Sequence, residues 1–335
     1  MSVAASASQA PAAPAGRPRR GEWLEDHATF LVACAMLVVI VAVYGTLQRG
    51  VFTLAEVNMV TAAALTLILA GTGQTIVLLR GVIDLSIGGM ISLATAISAT
   101  QFGQDPATIV AWSIGIIVLG AAVGAFNGLL ISVLKLQPFL VTLATWSVLN
   151  GCALLILPVD GGSFPGWWMG IGYMEWLGLA FPVWLLLALL VFWLWFSNTQ
   201  TGIAIRATGS SEKSAFLSGV PTLRINLVTY ALSGVFATLA ALYLTTQIGT
   251  GSPTIGKDYV LPSVAAAVVG GVSLFGGRGN LFGMVVGAFT LTLIGNLVFA
   301  FKISSYWQPV AAGIVLLIAV LTSSIANASA KARAK

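Results

Sequence analysis

The sequence predicts an all-α polytopic membrane protein with about ten transmembrane helices. Hydrophobic residues make up 58% of its 335 residues and charged residues only 7%, whereas soluble domains carry about 25% charged residues. The apolar segments approach or exceed the ~18 residues that a membrane-spanning helix requires. The alternation of polar and apolar residues that marks an outer-membrane barrel is missing from the sequence. We therefore expect this chain to lie in a bilayer.

The amino-terminal residues, 1–25, precede the first apolar segment. Residues 1–20 are rich in Ala, Pro and Ser and end in a cluster of arginines, a composition typical of disorder. Acidic residues follow, and the apolar segment after them is too long for the core of a secretory signal. We expect 1–25 to be a retained, disordered cytoplasmic tail.

Ten apolar segments define a transmembrane domain over 26–325, followed by a basic cytoplasmic tail at 326–335. The segments 86–102 and 259–275 are shorter and contain glycine, so each is either tilted, broken or only partly spanning. The ten segments are 29–47, 57–79, 86–102, 108–132, 138–157, 182–197, 222–246, 259–275, 281–301 and 307–325.

The distribution of positive charge predicts the orientation. If the N-terminus is cytoplasmic and all ten segments cross, every one of the 15 Lys and Arg residues lies inside except Arg49, Lys257 and Lys302. This asymmetry follows the positive-inside rule, and it places both termini in the cytoplasm. The net charge of +5 is explained by this topology, so we expect no nucleic-acid partner.

Two polar interruptions of the apolar pattern stand out. The segment 199–221 is the longest cytoplasmic one and carries Arg206, Glu212 and Lys213, so it is the expected contact with a soluble partner. The segment 158–181 is the largest external loop and is rich in Trp and Gly. It is either an interfacial aromatic belt or a docking surface and lid over a pathway.

Few polar residues lie within the apolar segments. Asp84 is the only carboxylate with apolar sequence on both sides, and it either lines a pathway or caps the helix that begins beside it. Asparagines and a glutamine line a hydrogen-bonding route or bridge helices, and they suit an uncharged polar solute better than an ion. They are Asn127, Gln137, Asn150, Asn226 and Asn296.

Other motifs carry no chemistry. The stretch Gly251–Lys257 matches the first positions of a P-loop, but Asp258 follows where Ser or Thr is needed to hold magnesium. Cys34 and Cys152 lie in apolar segments and are expected to be buried hydrophobes. We therefore expect no catalytic residue, no metal site and no nucleotide site in this chain.

Glycines recur every fourth residue in two segments. Such spacing allows helix backbones to approach closely where lipid supplies no hydrophobic drive for association. The two sets are Gly120, Gly124 and Gly128, and Gly279, Gly283 and Gly287.

Several motifs taken together are specific to one family. In order along the chain they are Gln74–Thr75 with Gly81–Gly88 (GVIDLSIG), Pro138–Leu143 (PFLVTL), Ala207–Ala215 followed by Ser218–Val220, Ala265–Gly271 with Phe275–Gly279, and Ser304–Gln308. Over about 25–325 the chain resembles the membrane-spanning permease subunits of bacterial ABC sugar importers, the branch that includes the ribose, xylose and arabinose permeases.

The resemblance implies an ABC importer permease fold and a homodimer with the solute pathway at its two-fold interface. It also implies an ABC ATPase on a separate polypeptide, which binds ATP and magnesium, and a periplasmic sugar-binding protein. It further implies a location in the bacterial inner membrane and a coupling helix within Arg206–Gly219, and we expect Gly219 to end that helix. The implied coupling residues are Arg206, Gly209, Glu212, Lys213, Ala215 and Gly219, and Phe139 and Thr142 join Asp84, Asn127, Gln137, Asn150 and Asn296 as pathway candidates.

The sequence departs from the family pattern in places. Arg80 and Val82 flank the Asp-Leu-Ser motif where small residues are usual, Asn150 replaces a common arginine, and Lys213–Ser214 replaces an Ala-Ala pair. These departures bear on the choice of solute and of partner.

The alternative function is an autonomous secondary carrier or facilitator for a small polar solute. A carrier of this kind predicts transport without ATP and inverted repeats with paired broken helices. An intramembrane enzyme would need paired catalytic groups at one depth, and the sequence does not contain them.

Overall fold

The computed structural model describes residues 20–48, 50–302, 304, 306–310, 313, 314 and 317. Each of the first nine predicted apolar segments coincides with a helix. Most of the tenth, 307–325, lies outside the described residues, as do residues 1–19 of the predicted amino-terminal tail and the predicted tail 326–335. Residues 20–25, predicted to be disordered, are instead helical and form the start of α1. The helices are α1 (Arg20–Leu47), α2 (Leu54–Leu79), α3 (Ser86–Gln101), α4 (Pro106–Val133), α5 (Pro138–Ile156), α6 (Gly166–Ile171), α7 (Phe181–Phe196), α8 (Gln200–Ser210), α9 (Glu212–Leu217), α10 (Thr222–Ile248), α11 (Lys257–Val269) and α12 (Leu281–Ala300).

Among the described residues, six helices are long and apolar enough to cross a membrane by themselves: the part Phe30–Leu47 of α1, and α2, α4, α5, α10 and α12. The pair α7 and α8, bent by 74°, would make a seventh span. α3 has 16 residues and α11 has 13. At 1.5 Å per residue they are ~24 Å and ~20 Å long, less than the ~30 Å of bilayer hydrocarbon. The two segments predicted to be incomplete are therefore short helices.

Each short helix follows a long one after an irregular stretch. α2 is followed by residues 80–85 and α3, and α10 is followed by residues 249–256 and α11. The end of the bundle where α2 ends and α9 lies is called the α9 end, and the opposite end, where α6 lies, the α6 end. α2 runs toward the α9 end and α10 runs away from it, so the two units are inverted relative to each other. They pack together through α2 and α10.

Glycines bring the central helices into backbone contact, as their spacing predicts. α4 packs on α10 because a Cβ atom at Gly120, Gly124 or Gly128 would overlap the α10 backbone at Gly234, Tyr230 or Asn226. In the second set, Gly283 and Gly287 bring α12 against α11 in the same way. Gly279 differs from the prediction because it lies in the irregular segment before α12, with φ +135°.

The segment 158–181 folds onto the α6 end. It contains α6 and an antiparallel hairpin of two short strands, β1 (Glu175–Trp176) and β2 (Leu179–Ala180), a departure from the predicted all-α fold. Trp168 packs edge-on against Phe102 at 5.2 Å, and its Nε1 donates to Thr245 Oγ1 at 3.1 Å. The aromatic residues thus fix this loop to the ends of α3 and α10, while Trp176 is 65% exposed.

Candidate functional site

The segment 199–221 forms two helices at the α9 end. The hydroxyl of Thr199 accepts from the N–H of Gly202 and starts α8. Ser211 is extended (φ −161°, ψ 106°), so it separates α8 from α9, and its side chain accepts from the N–H of Ser214. Capping by Thr and Ser hydroxyls satisfies backbone donors that a helix start leaves unpaired.

Gly219 ends α9, the role expected of it from the sequence. The N–H of Gly219 donates to Phe216 O and that of Val220 to Ala215 O, both at 3.0 Å. This pair of bonds is a Schellman motif, which needs a left-handed residue, and Gly219 has φ +84°.

α9 presents an uncovered apolar surface. Ala215 is buried against the bundle, whereas Phe216 is 66% exposed and Leu217 75% exposed. Lys213 is exposed beside them. Two large apolar side chains on a capped six-residue helix at a polar end of the molecule are typical of a protein interaction site.

An ion pair joins α9 to the bundle. Glu212 Oε1 lies 3.0 Å from Arg80 Nη2, and the two side chains are 53% and 10% exposed. Arg80 Nε also donates to Asn226 Oδ1 at 2.8 Å, and Asn226 Nδ2 donates to Ser132 Oγ at 2.9 Å. A continuous chain of polar contacts therefore runs from α9 through the end of α2 to α10 and α4.

α8 is packed tightly against the end of α2. A Cβ at Gly209 would overlap the carbonyl oxygen of Leu79, and the same oxygen accepts from the N–H of Gly277 at 2.9 Å. Arg206, on α8, is half-buried. Gly209 is therefore needed for the close approach of α8 to the end of α2.

A cavity of about 300 Å³ opens beside this ion pair. Its lining combines basic, acidic and amide side chains with the Tyr230 ring. The polar lining residues are Arg80, Ser132, Lys135, Glu212, Asn226 and Tyr230. Among the described residues no group of three His, Cys, Asp or Glu side chains could hold a metal ion.

Asp84 is buried, with 2% of its surface exposed. One carboxylate oxygen accepts from the N–H of Ser86 at 2.9 Å and from its hydroxyl at 2.5 Å, and the other accepts from Ser233 Oγ at 2.7 Å. With its amide nitrogen toward the Asp84 carbonyl, Gln74 hydrogen-bonds both main-chain groups of Asp84 at 3.0 and 3.3 Å. Non-helical backbone at membrane depth requires such partners, so this environment favours the structural interpretation of Asp84.

Asn127 belongs to the same network. Its Nδ2 donates to Ser86 Oγ at 3.0 Å, and its Oδ1 accepts from Thr145 Oγ1 at 2.6 Å. Asn127 is fully buried. The network thus bridges α3, α4, α5 and α10.

The structure does not bring the remaining pathway candidates together. Thr142 is buried and donates to Pro138 O at 3.0 Å. Gln137 and Phe139 are exposed at the start of α5, and Asn150 is half-buried further along it. Asn296 is half-buried on α12. Their part in a pathway stays a prediction.

Comparison with known proteins agrees with this geometry. Residues 56–320 match the family described as "Branched-chain amino acid transport system / permease component". The chain belongs to this family of permeases. It spans most of the length of its relatives, and no solved structure matches it.

Several relatives of this permease are named as sugar import proteins. The chain is 32% identical to the ribose import permease protein of Escherichia coli (strain K12), over 90% of this chain and 94% of that protein. It is 36% identical to the ribose import permease protein of Bacillus subtilis (strain 168), over 74% and 78%. It is 31% identical to the D-allose transport system permease protein of E. coli, over 88% and 90%. The resemblance to bacterial sugar importer permeases is confirmed.

The structure shows what lies next to two charged residues that the sequence analysis singled out, Arg80 and Lys257. Arg80 departs from the family pattern near the Asp-Leu-Ser motif, but its side chain points to Glu212 on α9. Lys257, predicted to lie outside, begins α11, and Tyr259 two residues later contacts Thr66 in the middle of α2.

The Asp84→Asn variant of the permease is expected to be less stable by about 1–3 kcal/mol, because an amide nitrogen would face donors that now bond a carboxylate. The measurement is the midpoint of thermal unfolding of the purified protein. Asp105→Asn, the same change at the exposed start of α4, is the control, since Asn caps a helix as well as Asp does. An unchanged midpoint together with impaired transport would favour the pathway interpretation of Asp84.

Proposed function

We propose that this chain is the membrane-spanning subunit of an ATP-driven importer in the bacterial inner membrane. Two copies pair, and a monosaccharide or similar polar uncharged solute crosses at their interface by alternating access. The single observation that carries this proposal is α9: a capped helix with exposed Phe216 and Leu217, joined to the bundle by the Arg80–Glu212 ion pair. ATP hydrolysis takes place on a separate ATPase subunit, so the chain is not itself an enzyme.

The ATPase subunit is the partner that fits α9. A short helix laid in a groove buries its apolar face and leaves its charges at the rim. Phe216 and Leu217 supply the apolar face, and Lys213 lies on the exposed rim. Movement of α9 reaches α2, α10 and α4 through Arg80 and Asn226. ATP binding and hydrolysis would shift the balance between two states of the bundle through these contacts.

The proposed solute is a sugar, delivered by a periplasmic sugar-binding protein. Relatives that align with most of this chain are named for ribose and D-allose, whereas the family description names branched-chain amino acids. The relatives are the more specific guide because their alignments cover most of both chains.

A secondary carrier is the second candidate function, and one observation favours it. Inverted units with interrupted helices are typical of secondary carriers, and α2–α3 and α10–α11 form such a pair. The exposed apolar face of α9 is not explained by a carrier that acts alone. Family membership and α9 together favour the importer.

Reconstitution in proteoliposomes tests the proposal. Uptake of a panel of radiolabelled monosaccharides is measured with the chain alone, and then with an ABC ATPase subunit and a sugar-binding protein from the same bacterium. We expect uptake only with both partners and internal ATP. The Phe216→Asp variant should insert normally but fail to retain the ATPase during purification, because a charge replaces the apolar contact.

The outcomes separate the two functions. Uptake by the chain alone, unaffected by ATP, would establish a carrier. Normal retention of the ATPase by Phe216→Asp would show that α9 is not the docking helix.

A further inference from the structure

Two charged residues lie on the exposed surface of α11. Lys257 and Asp258 form its first turn and are both exposed, and Leu261, one turn further on the same face, is 65% exposed. Neither charge forms an ion pair with another residue in the part of the chain that the structure describes. The groups that solvate or bind these two charges therefore lie outside the described part of this chain.

The first marker of their depth is α2. Tyr259 contacts Thr66, which lies twelve residues after Leu54 and thirteen before Leu79, at the centre of α2. α2 is ~39 Å long at 1.5 Å per residue, so its centre is nearly 20 Å from either end. The start of α11 is thus close to the middle of the apolar layer.

The second marker is α3. The N–H of Gly256 donates to Ser92 Oγ at 3.0 Å, and Gly256 packs on the backbone of Gly88. Ser92 is the seventh residue of α3, and α3 itself begins inside the bundle, where Ser86 bonds Asn127, six residues before the end of α4.

The far end of α11 gives a third marker. Gly270, directly after α11, packs on Gly283 near the start of α12 at the α9 end. A 13-residue helix that ends there is ~20 Å long and reaches only to the middle of the layer. The three markers agree.

Hydrocarbon is a poor environment for these side chains. Charged groups at membrane depth face water-filled cavities or partner groups because lipid cannot solvate them. The surface of α4 near the middle of that helix is apolar, with exposed Val118. We therefore expect the face of α11 that carries Lys257, Asp258 and Leu261 to contact water or a partner and not lipid.

We propose that Lys257 and Asp258 line the solute pathway at its middle and bind hydroxyl groups of the transported sugar. The inference rests on the proposed function, because the water that these charges require is that of a pathway between two copies. An ammonium donates and a carboxylate accepts, so adjacent Lys and Asp side chains can hold neighbouring hydroxyls. They sit where the two interrupted helices, α3 and α11, meet through Gly88 and Gly256, the kind of place where discontinuous helices form substrate sites.

Cysteine accessibility tests the water exposure without any transport. In a background with Cys34 and Cys152 replaced by alanine, Lys257→Cys and Asp258→Cys are treated with a membrane-impermeant thiol reagent in membrane vesicles. We expect both to be labelled. The control is Val118→Cys, exposed at the middle of α4, which should remain unlabelled; Lys213→Cys on α9 is the positive control. Labelling of Lys257→Cys and Asp258→Cys no greater than that of Val118→Cys would overturn the proposal.

Uptake kinetics test the contact with solute. For Asp258→Asn and Lys257→Gln, the sugar concentration that gives half-maximal uptake should rise about 10-fold or more, the loss expected for a hydrogen bond to a charged group, while the maximal rate changes less. Unchanged half-saturation in both variants would overturn the proposal. If Asp258→Asn loses the dimer and Asp258→Cys is not labelled, the charges belong to the contact between copies, and the proposal is overturned. Failure of the proposed function gives a different result. The unaltered chain then shows no ATP-dependent uptake, while labelling of Lys257→Cys and Asp258→Cys still reports access to water.

Discussion

Replacing Gly124 with leucine is expected to abolish the folded permease. A Cβ at this position would overlap the Tyr230 carbonyl oxygen on α10, and a rigid backbone cannot move aside as a side chain can. α4 and α10 form the most extensive helix contact of the described chain. Overpacking of this kind costs about 3 kcal/mol or more, and the shift would also disrupt the bond of Asn127 to Ser86. The measurement is the yield of monodisperse protein after detergent extraction.

Gly115→Leu is the matched control because it makes the same change on the same helix. A Cβ at Gly115 meets no atom within 4 Å, and Gly115 is exposed. This variant should be extracted in normal yield and keep its uptake activity. Equal yields for Gly115→Leu and Gly124→Leu would show that the α4–α10 contact tolerates a larger separation than the structure describes.

The sequence predicts much of the fold because membrane helices are long and uniformly apolar. Glycine spacing also predicts that α4 has a close helix partner, but not that α10 is that partner, since spacing contains no information about the other helix. Gly279 shows the converse limit. It continues the spacing of Gly283 and Gly287 but lies in the irregular segment before α12. Glycine spacing alone does not show at which residue a helix begins.

The candidate site is less predictable than the fold. The segment 199–221 is recognisable because polar residues interrupt apolar sequence, and Gly219 is a plausible helix end from its residue type. The pairing of Glu212 with Arg80 is not predictable, because it joins residues far apart in the chain through the packing of α9 on α2. The contact of Tyr259 with the middle of α2 is not predictable either, because an average of charge over a segment does not show where an interrupted helix begins again.

Charge reversal at Glu212 is expected to uncouple transport while leaving the permease folded. Glu212→Lys places two positive charges together at the Arg80 contact, and uptake should fall to about a tenth or less while the ATPase subunit continues to hydrolyse ATP. Folding should survive, because the Glu212 side chain is 53% exposed and ion pairs of this kind contribute about 1 kcal/mol or less. ATP-dependent uptake and ATP hydrolysis are measured in the same proteoliposomes. Normal uptake in this variant would remove Glu212 from the coupling site.

The charge-swapped double variant decides how Glu212 acts. If movement of α9 reaches α2 through the ion pair, Arg80→Glu alone should impair uptake as much as Glu212→Lys does, and Arg80→Glu with Glu212→Arg should restore it. If Glu212 instead contacts the ATPase directly, the double variant should stay impaired, because the swap leaves a positive charge on α9. Lys213→Glu, which reverses the exposed neighbouring charge, is the control for a change in the overall charge of α9. The ion pair then has a role beyond its small contribution to stability, because it is the described polar contact that links the exposed helix to Asn226 and the α4–α10 core.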